Sequence, residues 1–180
     1  MGESIKLQRD CKASVIPGGE EFTLEKDAEV EIMQSLGGSY TVMTKTGHMV
    51  RIDGMDADAL GKAVHKIPTA EEVKDIPLEK LVWDQLKTCY DPEIPIDIAS
   101  LGLIYKCDIE PHPSGEGHSV SIQMTLTAPG CGMGGVLAGD VQRKIERLPG
   151  VKDVKVEVVS EPPWNQSMMS DAAKLKLGML

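Results

Sequence analysis

Val120-Ser121-Ile122-Gln123-Met124-Thr125-Leu126 alternates apolar and polar side chains without a break, and Thr127-Ala128-Pro129-Gly130-Cys131-Gly132-Met133-Gly134-Gly135 follows directly. Strict alternation sends the two sets of side chains to opposite faces of an extended chain, so the first stretch predicts a half-buried strand. Downstream, Val136, Leu137, Val141, Ile145 and Leu148 recur at helical spacing until Pro149-Gly150, so a helix begins just after the glycines. Val154, Val156 and Val158 then alternate with Lys155 and Glu157 as a further strand. Strand, helix and strand in that order imply a right-handed crossover with the two strands parallel.

Upstream, Leu103 to Ile109 reads as a strand and Pro111 to Gly117 as a polar loop, so a hairpin joins this strand to the alternating one. Before it, Leu78, Leu81, Val82, Leu86 and Cys89 share one helical face after Pro77, which predicts a helix over about 78–90 that stops ahead of Asp91-Pro92. The order α-β-β-α-β describes a two-layer domain over residues 78–180, its end a short helix and tail from 165 onward. From Ile5 to Ile52 the chain reads instead as four or five short strands cut by Pro17-Gly18-Gly19, Gly37-Gly38 and Thr46-Gly47. That pattern predicts a small antiparallel β domain over residues 1–62, a barrel or open sheet, with 63–77 as a linker. The fold class expected is therefore α+β.

Acidic residues outnumber basic ones 28 to 19, for a formal charge of −9, and the excess acid is spread over both halves. Neither half carries the clustered Lys and Arg that release counterions from phosphates or hold an anionic bilayer, which argues against nucleic acid and membrane as partners. Apolar runs fall far short of the roughly 20 residues that span a bilayer. Met1-Gly2-Glu3-Ser4-Ile5-Lys6 lacks the basic-then-apolar build of a signal peptide, so a cytoplasmic location is expected. Cys11, Cys89, Cys107 and Cys131 form no C-x-x-C pair. Neither a self-contained zinc site nor a cytosolic disulfide framework is expected from them.

Cys131 stands apart from the other three because it sits at the start of a helix, where unpaired N–H groups and the positive end of the helix dipole favour a thiolate. A thiolate there suits a nucleophile or a metal ligand, whereas a neutral thiol would be a small apolar plug. Cys11, Cys89 and Cys107 lie inside strands or on an apolar helix face and read as packing. Asp91-Pro92-Glu93-Ile94-Pro95-Ile96-Asp97 is an acidic loop stiffened by two prolines. Its carboxylates Asp91, Glu93 and Asp97 are suited to binding a cation, steering a partner or capping a neighbouring helix. Glu161-Pro162-Pro163-Trp164 follows the last strand, and its Trp164 either closes a pocket or caps the core. His48, His65, His112 and His118 have no ligand spacing. Gly130-Cys131-Gly132-Met133-Gly134-Gly135 also satisfies the dinucleotide pattern G-x-G-x-x-G, but the preceding strand is the second of a hairpin and Pro129 interrupts its exit.

Asp91-Pro92-Glu93-Ile94-Pro95, Leu101-Gly102-Leu103-Ile104-Tyr105, Leu126-Thr127-Ala128-Pro129-Gly130-Cys131 and Glu161-Pro162-Pro163-Trp164, in this order, resemble the SufT and PaaD group of iron-sulfur maturation domains over roughly residues 77–180. The preceding part, with Leu36-Gly37-Gly38-Ser39-Tyr40-Thr41-Val42 and Asp56-Ala57-Asp58-Ala59-Leu60-Gly61, resembles the small β domain of longer SufT proteins. The resemblance implies an accessory factor, not an enzyme, that matures or delivers iron-sulfur clusters to client proteins alongside other assembly proteins. It places the family's reactive cysteine on Cys131, its acidic motif on Asp91 and Glu93, and its C-terminal aromatic on Trp164. Asp97, Thr127 and Glu161, in or beside these motifs, complete the candidate set. Gly132 departs from the proline that relatives often carry after the cysteine.

An iron-sulfur cluster usually takes four thiolate ligands, and one chain offers a single well-placed cysteine. The expected cargo is therefore iron or a labile cluster shared between chains, as in a homodimer that pairs two Cys131 sites with exogenous thiols or carboxylates. Two other readings stand beside this one. The first is a metal-free scaffold that docks clients, and the second is a nucleotide-binding domain that uses Gly130 to Gly135.

Overall fold

A computed structural model describes residues 2–16, 18–36, 38–91, 94–128 and 134–180. The chain divides into two compact units, Met1–Lys66 and Ile67–Leu180.

The first unit is built on six strands: β1 (Glu3–Lys6), β2 (Cys11–Val15), β3 (Glu21–Leu24), β4 (Glu29–Leu36), β5 (Ser39–Thr44) and β6 (Met49–Ile52). They form one antiparallel sheet in the order β1-β4-β5-β6-β2-β3. Among the described residues β1 and β3 remain edges, so the sheet is open rather than a closed barrel. Directly paired residues share a face, and Val42 sits opposite Val50 with Ile32 beyond it. Val42, Val50 and Ile52 are completely buried, with Leu7, Cys11, Leu24 and Leu60 around them. The alternation in the sequence points to β4, β5 and β6, but Glu3-Ser4-Ile5-Lys6 carries one apolar residue and becomes β1 only by pairing with β4.

A kinked 3-10 segment, Gly54–Leu60, closes this unit, and the Asp53 side chain caps its start by accepting from Met55 N at 2.9 Å. Arg9 fastens it from outside: its guanidinium donates to both carboxylate oxygens of Asp58 at 2.7 and 2.6 Å, and to Asp56 at 2.8 Å. Gly54 is required here, because a Cβ would lie 1.7 Å from the Gly38 carbonyl oxygen.

The stretch 63–77 expected as a linker spans the division between the units and holds, in the second, a helical turn, α1 (Ala70–Val73), closed by a Thr69–Glu72 capping box. The main elements follow: α2 (Leu78–Leu86), β7 (Ile104–Pro111), β8 (His118–Met124), α3 (Gly134–Glu146) and β9 (Val151–Val158). After them come a 3-10 turn, Gln166–Met168, and α4 (Asp171–Lys176). The sheet order is β7-β8-β9, with β7 antiparallel and β9 parallel to β8. This is the α-β-β-α-β order of the sequence pattern, and the whole chain is α+β.

Packing follows the periodicity. Val120, Ile122 and Met124 of β8 are buried against Leu81, Val82 and Leu86 of α2 and Leu137, Val141 and Ile145 of α3. Each such side chain contributes about 1.5–3 kcal/mol when fully buried. The helix expected to reach residue 90 stops at Leu86. Its last turn tightens instead, with Thr88 N donating to Gln85 O at 2.9 Å and Cys89 N to Leu86 O at 3.2 Å. The apolar Cys89 thus reaches the core through a turn. Lys144 of α3 donates from Nζ to the Thr88 carbonyl at 2.8 Å and to its hydroxyl at 3.1 Å, placing a cation at the negative end of α2.

Candidate functional site

The loop after α2 is pinned before any side chain acts. Tyr90 and Asp97 form an isolated antiparallel bridge, Asp91 N donates to Ile96 O at 3.3 Å, and Ile98 N donates to Cys89 O at 2.9 Å. These bonds return the chain on itself and leave Asp91 only 4% exposed. A carboxylate at that depth needs donors, and each oxygen has one among the described residues. Asp91 Oδ1 accepts from Ile94 N at 2.9 Å, and Oδ2 accepts from the Thr127 hydroxyl at 3.0 Å. The second bond joins the acidic loop to the exit of β8, four residues before Cys131. Thr125 N, donating to Leu103 O at 2.9 Å, holds the same exit from the β7 side.

Asp97, also buried, serves a different turn. Its Oδ1 accepts from Ser100 N at 2.8 Å, while its backbone carbonyl accepts from Leu101 N at 3.0 Å. Leu101 in turn offers its own carbonyl to Trp164 Nε1 at 2.7 Å. Trp164 is half-buried against the core of this unit, so its ring covers apolar surface while its N–H is satisfied. Glu161 is exposed at the head of the same C-terminal segment. Asp91 and Thr127 are therefore in direct contact, Asp97 and Trp164 are linked through Leu101, and Glu161 faces solvent. Cys131 and Glu93 lie outside the described residues, as does the glycine stretch up to Met133.

The remaining cysteines are packing groups. Cys11 and Cys89 are buried, and burial pushes the Cys11 and Cys107 thiols up to about 11, which keeps them protonated at neutral pH. His48 closes a turn on Thr46, His112 Nε2 lies 3.1 Å from Asp153, and His65 packs over Gly38 and Gly54. Among the described residues no group of three or more His, Cys, Asp and Glu side chains could hold a metal ion. No helix among them is long and apolar enough to cross a membrane.

Some contacts of this scaffold carry little signal in the sequence. Tyr105 donates its hydroxyl to the Pro162 carbonyl at 2.6 Å, and Ser170 N donates to Ser100 O at 2.8 Å. The first fastens the C-terminal segment to β7 and the second to the loop before it. Gly102, within the Leu101-Gly102-Leu103-Ile104-Tyr105 motif, must be glycine for a geometric reason: with φ at 75°, a Cβ would lie 2.2 Å from the Met168 carbonyl oxygen.

Residues 79–158 match a family described as iron-sulfur cluster assembly protein. An Fe-S protein maturation auxiliary factor of Porphyromonas gingivalis is 46% identical over 102 residues, which are 57% of this chain and 92% of that protein. The Fe-S protein maturation auxiliary factor SufT of Staphylococcus aureus is 40% identical over 89 residues, 49% of this chain and 96% of that protein. An iron-sulfur cluster carrier protein of Deinococcus radiodurans is 33% identical over 72 residues, 40% of this chain and 19% of that protein.

Proposed function

The chain belongs to the iron-sulfur cluster assembly protein family as a SufT-type member, and from that premise we propose that it serves the maturation of iron-sulfur proteins as an accessory factor without turnover of its own. Its cargo is iron or an iron-sulfur cluster, and Cys131 is the residue that contacts it. The observation that carries this reading is the Thr127 to Asp91 hydrogen bond. It fastens the acidic loop to Thr127, four residues before Cys131 in the sequence, which supports reading the two motifs as parts of one site.

Three of the four cysteines are committed to packing or held protonated by burial, which leaves Cys131 as the thiol for cargo. One thiolate is too few to keep a cluster, and this favours transfer over storage. Transfer is a ligand exchange at iron. A client thiol loses its proton and bonds the metal, the Fe–S bond to Cys131 breaks, and the Cys131 thiolate takes up the released proton. The oxidation state of the iron is unchanged. Until then the other iron positions are filled by a second chain's Cys131 or by small thiols. The partners are accordingly iron-sulfur clients and cluster-assembly proteins.

Anaerobic reconstitution with iron and sulfide, followed by visible absorption and transfer to an apo-ferredoxin, tests the reading. The wild type gains a charge-transfer spectrum that moves to the acceptor, and Cys131→Ser does not. An identical spectrum in both proteins removes Cys131 from cargo binding. A wild type that binds no iron above background leaves the metal-free scaffold as the function.

A further inference from the structure

Phe22 is set on the core-facing side of β3, since its pairing partner Ala13 is only 3% exposed, yet Phe22 is itself 37% exposed. The reason is topological. β3 is a sheet edge, and the interior of the sheet stays uncovered beside it. The gap is a partly open cavity of about 300 Å³ whose walls are Phe22, Leu24, Ala28 and Val30. Leu24 and Val30, 7% and 2% exposed, form its floor. That volume is at the small end of the range of ligand pockets, and an apolar wall with a few polar groups at one end is their usual build.

The polar end is a linked chain. Thr44 Oγ1 lies 2.9 Å from Thr46 Oγ1, which lies 2.9 Å from His48 Nδ1, while His48 N donates to Thr44 Oγ1 at 3.0 Å. These groups occupy one another, which leaves His48 Nε2 to meet an incoming molecule. The charged lining residues Lys45 and Glu29 are ion-paired with each other, and Lys6 lies 3.4 Å from the same carboxylate. These partners hold the Glu29 carboxyl below the usual carboxylate range.

We infer that this cavity is a binding site for a compact, uncharged, largely apolar molecule that carries one hydrogen-bonding group. A charged ligand seated among Phe22, Leu24 and Val30 would lie unpaired against hydrocarbon, which is unfavourable. An uncharged ring or short chain displaces water from Phe22, Leu24 and Val30 and meets His48 at the polar end. The site lies wholly in the first unit, outside the matched region 79–158 and independent of the role assigned to Cys131.

The test is an amide-resolved NMR titration of the full chain with 1-naphthol, compared with 1-naphthoate and 1-naphthylmethylammonium. Naphthol is expected to saturate, with shifts confined to the strands and turn that line the cavity, and to bind about tenfold or more tightly than either charged analogue. Ala28→Leu fills the cavity and should abolish binding. His48→Ala, at an exposed position that does not endanger the fold, should weaken naphthol selectively. The inference is overturned if a charged analogue binds as well, if the shifts fall elsewhere, if nothing saturates, or if folded Ala28→Leu retains full affinity.

Discussion

The Thr127 hydroxyl reaches Asp91 across 36 residues of chain, and no pattern in the sequence pairs these two side chains. Each belongs to its own motif, and each motif is recognisable alone; the bond between them exists because β8 exits beside the loop that follows α2. Thr127→Val keeps the shape and removes the donor. It should destabilise the second unit by about 1–3 kcal/mol, because a buried carboxylate loses one of its donors. Urea unfolding measures this, and Thr127→Ser should recover most of the loss. The packing cysteines give a second expectation at this scale. With thiols pushed up to about 11, Cys11 and Cys107 should resist alkylation in the native protein at pH 8, where about one molecule in a thousand is thiolate. Their folded values are raised above the ordinary 9.0, so the stability they contribute is complete below pH 9 and is lost as pH rises towards 11. Mass spectrometry of iodoacetamide adducts across that window checks the order of reactivity.

At the scale of elements, the C-terminal segment is more than a tail. Trp164, Tyr105 and Ser170 tie it to the chain around residues 100–105, and its own Met169 and Ala173 are buried. Gly102→Ala should loosen this fastening, because it combines a left-handed backbone with a Cβ placed against the Met168 carbonyl. Backbone strain alone costs about 1–3 kcal/mol. Trp164 fluorescence should shift to longer wavelength in the variant while the helical signal in circular dichroism persists; unchanged emission would mean the segment accommodates the methyl group. Helix and strand identities in this unit were legible because burial is one-sided, so apolar residues repeat with the period of the element. Helix ends were less legible. Cys89 continues the apolar face of α2, yet the chain has already turned at Leu86, and the deciding group is Lys144 on a distant helix, which takes up the Thr88 carbonyl.

For the whole molecule, each of the two units owns its core: Leu7 to Leu60 supply one cluster and Val73 to Ala173 the other. Residues 67–180 expressed alone should therefore fold cooperatively, with a dispersed NMR spectrum matching the corresponding signals of the full chain. A molten spectrum from that fragment would contradict separate cores. The α+β class, the antiparallel strands followed by α-β-β-α-β, and the kinship with SufT-type factors could all be read from the chain as written, because periodicity and short motifs are local properties. Tertiary structure alone decided that Glu3–Lys6 becomes an edge strand, that the sheet stays open and leaves a cavity at Phe22, and that Asp91 is sealed by Thr127. The reason is common to all three. Each depends on which groups distant segments bring within hydrogen-bonding or van der Waals reach, and that is set by packing rather than by neighbours in sequence.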